Sequence, residues 1–277
     1  MVLKKLGVEI ETTVLMQKDG TYSYREHDVA EIASDFSFSV HSDNSIHASA
    51  RHTSGFEFVS LPREKLSFLR ADIVELYSCL DLFPNDSCGM HVHVSFDNPE
   101  DLLLLSSWEF VNAWQRDCQD PSKCPVSHLF RTKKAACHAK EYFKPYANEQ
   151  DLINALVSSL ADKNSESRYR SVNFHAWVKK GRRTIEFRSW ASPMSALEAN
   201  EVVDFTSDYI KKYLKEHCVG DLVPQLVVCC EEDDLSGESV IVVGKDRDDK
   251  ELMACLSNDV VQANNAVLYD GWQGPDW

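Results

Sequence analysis

Residues 88–96, CGMHVHVSF, decide how the rest of the chain is read. Valine and phenylalanine alternate with histidine and serine, the period of an extended strand whose successive side chains point to opposite faces. Such a strand carries His91, His93 and Ser95 on one side and Val92, Val94 and Phe96 on the other. The valines are core residues, and the histidines face a site or solvent. Cys88-Gly89 supplies a tight entry with a small residue packed beneath it.

The same design recurs elsewhere. In VLKKLGVEIETTVLM (2–16), Val8, Ile10 and Thr12 alternate with Glu9, Glu11 and Thr13. In RRTIEFRSW (182–190), Glu186 and Arg188 lie opposite Ile185 and Phe187, and a shorter strand, EFVSL (57–61), sets Glu57 beside Phe58 and Val59. Taken singly, each pair of ionisable residues reads as well as a solvated strand face. Together they predict one sheet with an apolar face and a face that gathers carboxylates and imidazoles.

Between the strands the apolar spacing becomes helical. Leu66, Leu69, Ile73, Leu76 and Leu80 predict a helix from Pro62 to about Phe83. Asn98-Pro99 opens another running to about Cys118, a third spans about Asp151–Asp162, and a fourth runs from Ser192-Pro193 to about His217. RYRSVNFHAWV (168–178) and RRTIEFRSW read as two strands joined by a hairpin turn around Lys180-Gly181. Antiparallel signals interleaved with helices predict an α+β fold rather than a doubly wound parallel sheet.

Composition narrows the function. The 277 residues are 43% hydrophobic, enough for a sizeable core, and the formal charge of −15 argues against a nucleic-acid partner. Residues 220–277 hold 13 Asp/Glu against 3 Lys/Arg, a net −10, which leaves −5 for residues 1–219. We therefore divide the chain into a catalytic domain, 1–219, and an acidic extension or small appendage, 220–277. No apolar run long enough for a membrane span and no secretory signal is visible, and nine irregularly spaced cysteines read as reduced thiols. A cytoplasmic protein without membrane contact is the expectation.

Oxygen-rich ligands with an imidazole suit magnesium or manganese (Mg2+ or Mn2+) better than a closed zinc site. Arg188, with Arg168 or Arg170, can hold phosphate oxygens in forked geometry. The P-loop and dinucleotide glycine motifs are absent, as are the nucleophile elbow, HExxH and the deaminase cysteine pair.

Five segments in series, GVEIE (7–11), DNS (43–45) with GFEFVS (55–60), CGMHVHV (88–94), RYRSVN (168–173) and TIEFR (184–188), resemble the amidoligase family over about residues 5–215. That family is related to the glutamate–cysteine ligase and glutamine synthetase superfamily of carboxylate–amine ligases. The resemblance implies a glutamine-synthetase-like catalytic fold: a curved antiparallel sheet with helices on its outer face, binding ATP and two divalent cations on its concave face. It places Glu9, Glu11, Glu57, His91 or His93 and Glu186 as metal and phosphate ligands, and Arg188 as the phosphate-binding arginine. Tyr169 and Asn173 occupy the RYxxxN element, whose first residue, Arg168, is a further catalytic candidate. Arg131 and Lys134 correspond to a basic segment near the substrate. The implied activity is ATP-dependent amide formation through an acyl-phosphate, with Glu57 as candidate base. Carboxylate- and amine-bearing acceptors would be amino acids, peptides, cell-wall fragments or protein termini. A metal-dependent hydrolase and a non-catalytic interaction protein keeping the ligase fold stay open as alternatives, as does the choice between His91 and His93 as metal ligand.

Overall fold

The computed structural model describes residues 3–15, 26–43, 45–47, 53–131, 144–161, 169–180 and 182–217, together with strand backbone at 227–229, 238–245 and 251–257. In chain order the elements are β1 (Leu3–Leu15), α1 (Glu26–Asp35), β2 (Phe38–Ser42), β3 (Thr53–Ser60), α2 (Leu66–Cys79) and β4 (Gly89–Phe96). These are followed by α3 (Pro99–Leu105), α4 (Trp108–Cys118), α5 (Glu149–Ala161), β5 (Val172–Asn173), α6 (His175–Lys180), β6 (Thr184–Ala191) and α7 (Ala196–His217).

The first six strands form one antiparallel sheet in the order β2-β3-β1-β4-β6-β5, so the four strands with ionisable faces, β3, β1, β4 and β6, are consecutive neighbours. Register follows the alternation of apolar residues, because a slip of one residue would turn every core side chain to the wrong face. Ile10 pairs with Phe58 and Met90, Val8 with Val92, and Val94 with Ile185. All seven are almost completely buried.

Helices cover that apolar face. Trp114 and Phe110 of α4 meet Phe187 of β6 with ring centroids 4.8 and 6.2 Å apart, and Trp114 Nε1 donates to Ser189 Oγ at 2.9 Å. Leu69, Ile73 and Leu76 of α2 and Val202, Val203 and Ile210 of α7 complete the core. Helix α7 begins with a side-chain cap: Glu198 N donates to Ser195 Oγ at 3.2 Å, while the Glu198 carboxylate reaches back to accept from Met194 N at 2.9 Å.

Three local expectations are corrected. Helix α2 starts at Leu66, not Pro62, because Arg63 is held in extended backbone by two hydrogen bonds with Leu6 and by its fork on Asp72. The stretch expected to form one helix to Cys118 is two, broken at Ser106-Ser107, where Ser107 Oγ accepts from Phe110 N and starts a new N-terminus. The HAWVKK stretch is helical rather than part of a hairpin. Only Val172-Asn173 pairs with β6, and the Asn173 side chain accepts from His175 N at 2.9 Å, turning the chain into α6. Gly181 of the expected turn lies outside the described residues.

Strands β7 (Val227–Cys229), β8 (Glu238–Lys245) and β9 (Glu251–Ser257) form a separate three-stranded antiparallel sheet. Among the described residues no helix is long and apolar enough to cross a membrane.

Trp114 is fully buried against several rings. Its replacement by Ala should cost about 3–5 kcal/mol in urea unfolding, whereas Ser107→Ala, which removes one cap, should cost about 1 kcal/mol.

Candidate metal centre

The register sets ionisable residues directly opposite one another. Glu11 pairs with Glu57, Glu9 with His91, and His93 with Glu186, which also pairs with Asn173. Each strand contributes from the face its apolar residues do not use.

The His91 ring lies at the middle and is fully buried. Its Nδ1 is 3.0 Å from Glu9 Oε2 and 3.3 Å from Glu186 Oε1, while its Nε2 points the other way, 3.5 Å from Glu11 Oε1. Two groups of candidate ligands result, Glu9–His91–Glu186 and Glu11–Glu57–His91, each with donor atoms within 4.8 Å of one another. His93 belongs to neither group; its Nε2 lies 3.0 Å from Glu9 Oε1. Asn173 Nδ2 donates to Glu186 Oε2 at 2.7 Å, Arg188 Nη1 donates to Glu186 Oε1, and Arg131 Nη2 donates to Glu11 Oε2 at 3.4 Å.

Arg188 sits at a break in the ladder. The β4–β6 register shifts between Met90 and Val92, where Val92 pairs with Phe187 but Met90 pairs with Trp190. The extra residue on β6 lets Ser189 and Trp190 both serve the core while Arg188 stays beside Glu186. Arg188 N donates instead to Ser171 O at 2.9 Å.

Burying several carboxyls together is unfavourable unless counter-charges or protons intervene. Burial works against ionisation of Glu9, but the His93 charge and hydrogen bonds from His91 and His93 hold its carboxyl well below the usual range. Burial likewise disfavours ionised Glu186, and neighbouring Arg188 lowers it below normal. Glu57 goes the other way: burial, then Glu9, Glu11 and Asp43, push it up to about 8. His93 is raised; burial opposes its charge, but Glu9 overcomes that effect.

A divalent cation fits these residues. His91 Nε2 is buried without a hydrogen bond, and Glu57 is costly to ionise until positive charge arrives. Carboxylate oxygens with one imidazole nitrogen are the donors magnesium or manganese accept.

The sequence-predicted residues thus separate. Glu9, Glu11, Glu57, His91 and Glu186 converge in the two groups, and His93, Arg188, Asn173 and Arg131 contact them directly. Tyr169 is half-buried, its carbonyl accepting from Lys144 N at 2.8 Å. Arg168 and Lys134 lie outside the described residues. Arg170, expected as an alternative phosphate ligand, forks onto Asp151 at 2.6 and 2.7 Å and lies over the Tyr146 ring, so its guanidinium is committed to the scaffold. The neighbours that sequence reasoning missed are Asp43, which acts on Glu57, and Gly89, over which Arg131 lies. Asp43 and Gly89 both stood in segments that carried the family resemblance, yet neither residue type announces such a role.

An antiparallel sheet flanked by helices, with a buried carboxylate–imidazole cluster on its polar face, defines a candidate divalent-cation enzyme centre. Residues 4–209 match the family model described as "Putative amidoligase enzyme", and the chain belongs to that family. No curated protein matches the chain.

Two pH effects follow. Glu57 keeps its proton in the folded chain up to about 8 but loses it near 4.5 when unfolded, so the native state binds the extra proton and stability falls as pH rises through that window. Without cations, Glu57→Gln should therefore melt higher than the parent at pH 8, on the order of 5 °C, with the gap closing towards pH 5 in thermal scans. Despite the cost of burial, hydrogen bonds from Arg170 hold the Asp151 carboxyl below its usual range, so its stabilisation is complete above the unfolded value and is lost as pH falls through the folded one. Asp151→Asn should lower the melting temperature at pH 7 and flatten the acid limb of the stability curve.

Proposed function

We propose that this chain is an ATP-dependent carboxylate–amine ligase, related to the glutamate–cysteine ligase and glutamine synthetase superfamily, which makes an amide through an acyl-phosphate. The observation that carries this reading is the His91 imidazole set between two pairs of carboxylates, with an arginine beside each pair.

Glu11, Glu57 and His91 Nε2 would hold one Mg2+ or Mn2+, while His91 Nδ1 keeps its proton and donates to Glu9, and carboxylate oxygens of Glu9 and Glu186 would hold a second. ATP supplies the phosphoryl that turns a carboxylate oxygen into a leaving group, and the cations supply positive charge against its oxygens. Arg188 adds a directional donor. Its Nη1 is engaged with Glu186, but its buried Nε makes no hydrogen bond and is available to an arriving oxyanion. Asn173 and Arg188 together fix the rotamer of Glu186. His93 does the same for Glu9.

An amine then attacks the acyl-phosphate, phosphate leaves, and an amide remains. The attacking amine must lose a proton, and Glu57, ionised once a cation offsets its carboxylate neighbours, is our candidate for its acceptor. The polar face of the sheet is read as the concave, substrate-facing side. Residues 1–219 are read as the catalytic unit and residues 220–277 as an appendage. The acceptors are read as small carboxylates and amines such as amino acids, peptides or protein termini. Free Cys79, Cys88, Cys118 and Cys124 fit a reducing cytoplasm.

The test is an ADP and phosphate assay with Mg2+, ATP and pooled acceptors, coupled to mass spectrometry for products formed with loss of water. Glu186→Gln and Arg188→Ala should each lower turnover by about a hundredfold or more while keeping the native circular dichroism spectrum. Unchanged product formation in both variants, or cation-dependent hydrolysis that needs no nucleotide, would overturn the assignment.

A further inference from the structure

Arg131 departs from what its sequence context suggested. It is 7% exposed, and its backbone is anchored by donation from Arg131 N to Ser189 O at 2.8 Å, next to the Phe130–Trp190 bridge. Its guanidinium lies on the bare α-carbon of Gly89, where a Cβ would come within 2.5 Å of both Nη1 and Nη2. From there Nη2 reaches Glu11 Oε2 at 3.4 Å. Gly89 therefore does more than open the strand: any side chain at that position would occupy the space the guanidinium fills.

We infer that Arg131 and Gly89 form one device, a resident cation lodged against Glu11 that sets the affinity of the Glu11–Glu57–His91 group for a divalent metal ion. The inference rests on the reading that this group takes such an ion. A guanidinium bonded to one ligand repels a dication at the same carboxylate, and at buried-site dielectric a unit charge a few ångströms away is worth at least about tenfold in affinity. Arg131 is thus a positioning residue acting through Glu11. Arg188 differs in having a buried Nε without a hydrogen bond. The two arginines therefore have different roles: Arg188 offers a donor to substrate oxygens, and Arg131 limits how tightly the metal ion is held before substrate charge arrives.

The test is Mn2+ binding to the full chain without nucleotide, followed by electron paramagnetic resonance, with the Glu11 position identified as the one lost in Glu11→Gln. Arg131→Gln, which keeps a polar donor, and Arg131→Met should bind Mn2+ at that position about tenfold tighter than the parent, and Arg131→Lys should stay within about threefold of it. Gly89→Ala, which expels the guanidinium, should shift affinity in the same direction. The gain should vanish when Arg131→Gln is combined with Glu11→Gln. A merely structural arginine would lower the melting temperature without changing Mn2+ affinity in the folded protein. Equal or weaker binding in Arg131→Gln, alongside normal binding by the parent, overturns the inference and leaves the metal reading intact. Absence of Mn2+ binding in the parent and every variant overturns both.

Discussion

A fully buried imidazole with a carboxylate oxygen facing each ring nitrogen is the constraint from which the rest of this structure follows. His91 cannot be placed there unless Glu9, Glu11 and Glu186 are held on neighbouring strands in one register. That register survives only because the opposite face of the same strands is continuously apolar and sealed by helices. The core of Val8, Ile10, Val92, Ile185 and Phe187 under Trp114 and Phe110 is therefore what aims the polar face. Hydrophobic burial supplies the driving force, and alternation converts it into position.

Such a cluster would destabilise the sheet if its charges were left alone. The protein balances them by three physical means. Guanidiniums from Arg131 and Arg188 lie against Glu11 and Glu186, His93 takes on charge beside Glu9, and Glu57 retains a proton. Each compensation is one that an arriving dication can replace, which makes the resting arrangement stable without closing it to metal. The bulge on β6 belongs to the same compromise: it keeps Arg188 beside Glu186 while returning Trp190 to the core. Regular ladder pairing is given up here, where a side chain has to be re-aimed.

Much of this was legible in the residues. Alternation in VEIE, MHVHV and TIEF assigned faces correctly because the period of two leaves little choice once one face must be buried. The amidoligase motifs then placed the same residues in one family, and the match over residues 4–209 agrees with them. Legibility failed where a hydrogen bond to the backbone, rather than a hydrophobic pattern, decided the outcome. Ser107 restarted a helix that apolar spacing would have continued, Arg63 was held extended by Leu6, and Asn173 turned an expected strand into α6. Arg170 was misread for a related reason: a guanidinium suited to a phosphate fork suits Asp151 equally well, and sequence spacing does not reveal the partner.

The sequence by itself determined that β1, β3, β4 and β6 are strands, which of their faces is apolar, and that acidic and imidazole side chains share the other face. These are properties of neighbours along one chain segment, set by local geometry. Only the tertiary structure decided that β1 lies between β3 and β4, so that Glu11 meets Glu57 and Glu9 meets His91, and that His91 rather than His93 stands in both ligand groups. Only it brought Arg131 onto Gly89. Strand order and the approach of a distant loop are long-range choices, fixed by the packing of the whole core, and no periodicity within a strand encodes them.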